Sequence, residues 1–133
     1  MKYKVLLVAS NYYNKILDPM ISNSKKIVKK ENFQIKTIVV PGVFEIPVTI
    51  SKNINKFDAF IALGCVIKGE TPHFDYISRS SIDAIMRLSI KAKKPVGNGI
   101  ITCLNMKQAI IRSKKKGQEA TNAIIAVLKN VSS

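Results

Sequence analysis

Apolar residues in this chain gather in short, nearly continuous runs, with amphipathic stretches between them. YKVLLVA (3–9), Ile35–Val40 and the run AFIALGCVI at Ala59–Ile67 are each bounded by turn-forming residues and too short for helices. Such runs read as strands buried on both faces of a parallel sheet. They predict strands at Tyr3–Ala9, Ile35–Val40, Asp58–Ile67 and, after Pro95, from Val96 to about Thr102. Asp18-Pro19 reads as an N-cap followed by proline at the first helical position, opening a helix to about Lys30. A second helix is expected from Phe44-Glu45 to about Ile54, with Pro47 in its first turn, and a third over Phe74–Lys91. Asn105 caps a short helix, Met106–Ser113; Lys114–Lys116 form a linker. A last helix, about Gln118–Val131, carries Ala120, Ala123, Ile124, Val127, Leu128 and Val131 on one face. Strands alternating with helices predict an α/β chain: one domain over 1–133, a three-layer α/β/α sandwich on a four-stranded parallel sheet of order 2-1-3-4.

Charge adds a second layer. The chain has 133 residues, with 22 Lys and Arg against 8 Asp and Glu and a formal charge of +14. The lysines are dispersed, however, over Lys25–Lys30, Lys91–Lys94 and Lys114–Lys116, and no nucleic-acid-binding motif accompanies them. They read as solvated surface that favours anionic small molecules, not as a nucleic-acid interface. No run approaches the roughly 20 apolar residues of a membrane span, and the first apolar run is too short for a secretory signal. Cys65 and Cys103 stand alone, without metal-ligand spacing, and are expected as buried free thiols in a reducing cytoplasm. No metal site is expected.

Candidate chemistry lies at the carboxyl ends of the strands, where open α/β sheets place their ligand crevices. After the first strand come Asn11, Tyr12 and Tyr13; Tyr12 can stack on a planar heterocycle. After the second come Pro41-Gly42, then Val43, Phe44 and Glu45, whose carboxylate can stabilise a helix start or accept from ligand hydroxyls. After the third come Gly69, Glu70, Thr71, Pro72 and His73, the chain's single histidine, placed at a helix start where Thr71 and backbone N–H groups can hold a phosphate. His73 is suited to proton transfer. Gly97-Asn98-Gly99 allows close backbone approach on strand four, and Arg112 is suited to bidentate phosphate binding.

Together PGVFEIP (41–47), LGCVIKGETPHFDY (63–76) and QAIIR (108–112) resemble 6,7-dimethyl-8-ribityllumazine synthase, in order over nearly the whole chain. The resemblance implies a flavodoxin-like fold. It also implies condensation of 5-amino-6-(D-ribitylamino)uracil with 3,4-dihydroxy-2-butanone 4-phosphate, without metal or organic cofactor, in riboflavin biosynthesis. By the same resemblance Tyr12 stacks on the pyrimidine, and Val43, Phe44 and Glu45 line the ribityl chain. Cys65, Val66 and Ile67 contact the uracil, Glu70 and Thr71 hold the butanone phosphate, and His73 transfers protons. Arg112 binds phosphate from a neighbouring subunit, so the site exists only in a homo-oligomer.

The chain departs from the family pattern at several points. Asn98 replaces a phenylalanine that closes over the pyrimidine, and Asn11-Tyr12-Tyr13 replaces Arg-Phe-Asn. The linker between Arg112 and Lys116-Gly117 is about four residues shorter than in sixty-subunit shells, and an extra amino-terminal strand is lacking. These departures point to a pentamer or a pair of pentamers. They leave open an inactive flavin- or lumazine-binding or cage-forming relative, and an archaeal-type riboflavin synthase on the same fold.

Overall fold

The computed structural model describes residues 2–69 and 73–130, with backbone alone at positions 73 and 74. Strands β1 (Lys4–Ser10), β2 (Gln34–Val40), β3 (Ala59–Ile67) and β4 (Val96–Cys103) form one parallel sheet in the order β2-β1-β3-β4. That is the predicted α/β architecture and strand order. Helices α1 (Asn14–Lys30) and α4 (Met106–Lys129) cover one face of the sheet; a 3₁₀ turn (Val43–Glu45), α2 (Ile46–Lys52) and α3 (His73–Ala92) cover the other. Alternate residues of β1 feed the two cores. Val5, Leu7 and Ala9 join Leu17, Met20 and Ile124, whereas Leu6 and Val8 join Val43, Ile46, Ile50 and Ile85. The edge strand β2 is largely part-buried or exposed, in contrast to the fully apolar centre.

Helix α1 starts at Asn14, not at Asp18, and Pro19 lies inside it. Asp18-Pro19 fits a helix-start signal locally, but the pair sits one turn inside the helix. An interior proline forfeits one hydrogen bond and costs about 3 kcal/mol. The additional turn buries Ile16 and Leu17, to 6% and 1% exposure. Each such side chain contributes roughly 1.5–3 kcal/mol, which offsets the proline. At its other end α1 closes with Asn32 at φ 63°, where Phe33 N–H reaches the Val28 carbonyl and Asn32 N–H that of Lys29. Lys93, at φ 57°, ends α3 in the same way.

A second correction concerns the carboxyl-terminal region. The expected short helix, lysine linker and last helix form one helix of 24 residues, running through Lys114–Lys116 and Gly117 without interruption. Gly117 is not a hinge but the point where α4 crosses α1. A Cβ there would lie 3.1 Å from the Met20 carbonyl oxygen and 3.3 Å from Ser24 Oγ. Ser24 Oγ donates to the Gly117 carbonyl at 3.2 Å, and Thr121 Oγ1 lies 2.7 Å from that carbonyl and 2.8 Å from Ser24 Oγ. Only a helix without a side chain at this position brings these groups together. The buried stripe of α4 is accordingly Ala109, Ser113, Gly117, Ala120, Thr121, Ile124 and Ile125. Ala123 and Val127 of the predicted stripe are exposed, and Val131 lies outside the described residues. The close approach expected at Gly97 and Gly99 is present: a Cβ on Gly97 would meet the Ala120 carbonyl oxygen at 2.4 Å.

Candidate active site

Three strand ends converge on one cleft of about 320 Å³, lined by Tyr12, Tyr13, Gly42, Val43, Phe44, Cys65, Val66, Ile67 and Ile77. It lies where the free ends of β1, β2 and β3 face the start of α3, the position expected for a ligand on an open parallel sheet. Its walls are mostly apolar, and two large rings stand on its rim, Tyr12 at 75% exposure and Phe44 at 66%. Tyr12 packs edge-on against Tyr13, with centroids 4.8 Å apart, so its outer face is free. Burial, with Tyr12 and Cys65 nearby, raises the Tyr13 phenol above its ordinary range. Tyr13 therefore stays a neutral hydroxyl near pH 7.

Val43 anchors the second wall. It is buried beneath the cleft, and a Cβ on Gly64 would collide with its Cγ2 at 2.6 Å. Gly64 on β3 thus lets the β2–α2 turn settle onto the sheet. Glu45 is half-buried at the end of the 3₁₀ turn, with Oε1 3.3 Å from where a Gly42 Cβ would lie, so its carboxylate sits over the cleft-lining glycine. Glu45 itself is not among the lining residues. Thr49 Oγ1 donates to the Glu45 carbonyl at 2.8 Å and holds this turn to α2.

On β3, Cys65 is buried while Val66 and Ile67 are half-buried. Burial, with Cys103 adding to it, pushes the Cys65 thiol up to about 11. The Cys103 thiol is raised by burial too, and the Arg112 guanidinium partly opposes this. The two cysteines are free. Cys65 pairs with Ile101 and Cys103 with Ile67, a two-residue stagger between neighbouring strands. Strand spacing and rise place such Cα atoms about 8 Å apart, beyond disulfide reach.

Glu70 and Thr71 lie outside the described residues, as does the side chain of His73, whose backbone opens α3. Ile77, which the sequence reading did not single out, follows position 73 by one helical turn and faces the cleft. Its spacing from His73 was the available signal. Asn98 and Arg112 are not brought to this cleft. Asn98 is exposed on edge strand β4, its Oδ1 accepting from Ile100 N–H at 3.1 Å. Arg112 lies in the second turn of α4, where Nη1 donates to the Thr102 carbonyl at 2.7 Å and the guanidinium lies near the Cys103 thiol. It lines a separate groove of about 610 Å³ with Ile100–Thr102, Ile111, Lys114–Lys116 and Glu119. Among the described residues no group of three or more His, Cys, Asp or Glu can hold a metal, and no helix is long and apolar enough to cross a membrane.

Comparison with known proteins gives these features a context. The family model for 6,7-dimethyl-8-ribityllumazine synthase matches residues 2–132. Proteins of that name from Bartonella tribocorum and Methylorubrum extorquens are similar throughout. The first is 37% identical over 134 residues, covering 96% of this chain and 89% of the relative; the second is 35% identical over 136 residues, covering 94% and 79%. Among solved structures, the ABC domain from Streptococcus pneumonia in complex with L-Trp aligns with a TM-score of 0.51 at 16% identity. That match covers 97% of this chain but only 41% of the other, and it supports the fold alone. With the family match running from residue 2 to residue 132, the chain belongs to the 6,7-dimethyl-8-ribityllumazine synthase family.

Proposed function

We propose that the cleft joins 5-amino-6-(D-ribitylamino)uracil to 3,4-dihydroxy-2-butanone 4-phosphate, giving 6,7-dimethyl-8-ribityllumazine in the penultimate step of riboflavin biosynthesis. The observation that carries this reading is the meeting of Tyr12, Val43, Phe44 and Cys65–Ile67 from three strand ends in one apolar cleft. Such a surface suits a flat heterocycle. Tyr12 stacks on the pyrimidine, and the strand end Cys65–Ile67 meets its polar edge through backbone groups. Val43 and Phe44 border the ribityl chain, and the Glu45 carboxylate accepts from its hydroxyls. Glu70 and Thr71 hold the phosphate of the second substrate. The amine condenses with the ketone, phosphate leaves, and the ring closes with loss of water; His73 carries the protons. None of these steps calls for a metal or an organic cofactor.

Arg112 completes the phosphate site, and Asn98 approaches the pyrimidine, both from the neighbouring subunit of a homo-oligomer. The placement of both residues on the far side of β3 from the Tyr12 wall supports this arrangement. So do the exposed apolar side chains beside Arg112, namely Leu104, Met106, Ile110 and Ile111, which suit a subunit contact. The assembly is a pentamer or a pair of pentamers of a single-domain, cytoplasmic protein.

The test is an absorbance assay with both substrates, following the lumazine chromophore and released phosphate, with light scattering for the assembly. Product with stoichiometric phosphate from an oligomer is expected. Folded, oligomeric protein that binds the pyrimidine but makes no product would instead identify a ligand-binding relative, with Asn98 the first residue to revert.

A further inference from the structure

The corner between β4 and α4 carries Arg112, and it is tied by a pair of side chains to which the substrate contacts above give no role. Asn105 Oδ1 accepts from Gln108 N–H at 2.9 Å, while Gln108 Oε1 accepts from Leu104 N–H at 2.9 Å. This is a reciprocal cap of the capping-box kind, with the glutamine serving the residue just before the cap. It fixes the angle at which α4 leaves the strand. One turn further along the same stripe, Arg112 reaches back over the corner to the Thr102 carbonyl at 2.7 Å. The segment Thr102–Asn105 is therefore gripped twice from α4, once by Gln108 and once by Arg112.

A guanidinium has five N–H donors in a rigid fork. The Thr102 contact engages one nitrogen and orients the whole plane, leaving other donors for an anion. We propose that Gln108 is a positioning residue for anion binding by Arg112: by holding Leu104 and the first turn of α4 together, it sets where the guanidinium plane points. This rests on the reading that Arg112 holds the substrate phosphate. The bonds at this corner are solvent-exposed. In the single chain, losing the Gln108 contact therefore hands Leu104 N–H to water instead of leaving it buried and unpaired, and folding of the subunit is little affected. Orientation of Arg112 is what changes.

The test is a double-mutant cycle on the assembled enzyme. Gln108→Met keeps length and removes the acceptor. It is expected to raise KM for the butanone phosphate roughly 3–10-fold, the effect of one hydrogen bond, with pyrimidine affinity and kcat within about twofold. Arg112→Ala is expected to raise the same KM roughly 10–100-fold. The double variant should match Arg112→Ala alone, because Gln108 acts only through the arginine. Inhibition by inorganic phosphate should follow the same order. An unchanged KM in Gln108→Met, equal losses for both substrates, or effects that multiply in the double variant would each overturn the positioning role. Should Gln108→Met fold poorly, Gln108→Asn gives the same readout, since its shorter amide does not span to Leu104. If Arg112→Ala leaves phosphate KM unchanged in an active enzyme, the phosphate assignment of Arg112 fails, and the positioning role with it.

Discussion

Gly117 offers a test in which two readings of the same residue differ in sign. A glycine in an exposed linker or an ordinary helix position gains about 1 kcal/mol of stability when replaced by alanine. At the α1–α4 crossing, the new Cβ would lie 3.1 Å from the Met20 carbonyl oxygen and 3.4 Å from Met20 Cα. Those atoms belong to the backbone of a buried helix and do not swing aside, so the two helices must separate by a few tenths of an ångström. Overpacking of this kind costs about 1–3 kcal/mol. Separation also stretches the two hydrogen bonds that cross between the helices, Ser24 Oγ to the Gly117 carbonyl at 3.2 Å and Thr121 Oγ1 to Ser24 Oγ at 2.8 Å, each contributing about 0.5–1.5 kcal/mol. Against the gain in helix propensity, Gly117→Ala is expected to destabilise by about 1–2 kcal/mol, a fall in Tm of about 4–7 °C for a chain of this length. Gly117→Leu should destabilise by more than about 3 kcal/mol. Urea unfolding followed by circular dichroism, at one fixed protein concentration because assembly contributes to stability, measures both. An unchanged or raised midpoint for Gly117→Ala would refute the crossing and restore the linker.

Three further expectations concern the site. His73→Ala should slow product formation by about 10²–10⁴-fold while pyrimidine affinity, read by titration calorimetry, holds; an unchanged rate would remove His73 as the proton carrier. Cys65 carries a thiol raised from 9.0 to about 11, so it remains protonated as pH rises through the range where an unfolded thiol ionises. At pH 8 that leaves about 100-fold fewer thiolates than in the unfolded chain. Mass-spectrometric alkylation of Cys65 should therefore be slow at pH 8 and quicken toward pH 11, whereas rapid labelling at pH 8 would contradict its burial. Asn98→Phe places a ring at the β4 edge and should tighten pyrimidine binding roughly tenfold through stacking; no change in Kd would mean that position 98 does not reach a neighbour's cleft.

The strands were legible because a parallel sheet buried on both faces demands continuous apolar runs, and β1 and β3 supply them. The alternation of elements implies a parallel sheet with crossover helices but not its strand order, for which 2-1-3-4 is one choice among doubly wound sheets. What local sequence could not convey was contact between distant segments. Asp18-Pro19 satisfies every short-range rule for a helix start, yet burial of Ile16 and Leu17 against the core carries α1 through the proline. Lys114–Gly117 has the composition of a linker, and only the approach of Met20 and Ser24 explains its glycine. At the site, Tyr12, Val43, Phe44 and Cys65–Ile67 were recognisable because each follows or ends a strand, and the fold assembles them. Ile77 is marked only by its one-turn spacing from His73, because an apolar residue on an amphipathic helix does not by itself show whether it faces core or ligand.

The distance between Arg112 and the Tyr12 cleft within one chain carries a genetic consequence. In the proposed ring of identical subunits joined head to tail, each site would draw its proton carrier from one chain and its arginine from the next. A His73→Ala chain and an Arg112→Ala chain are each impaired alone, the first in turnover and the second in phosphate affinity. Assembled at random in equal amounts, they place both intact residues at about a quarter of the sites. Two impaired alleles of this gene would then complement each other in one cell, although neither alone supplies an intact site.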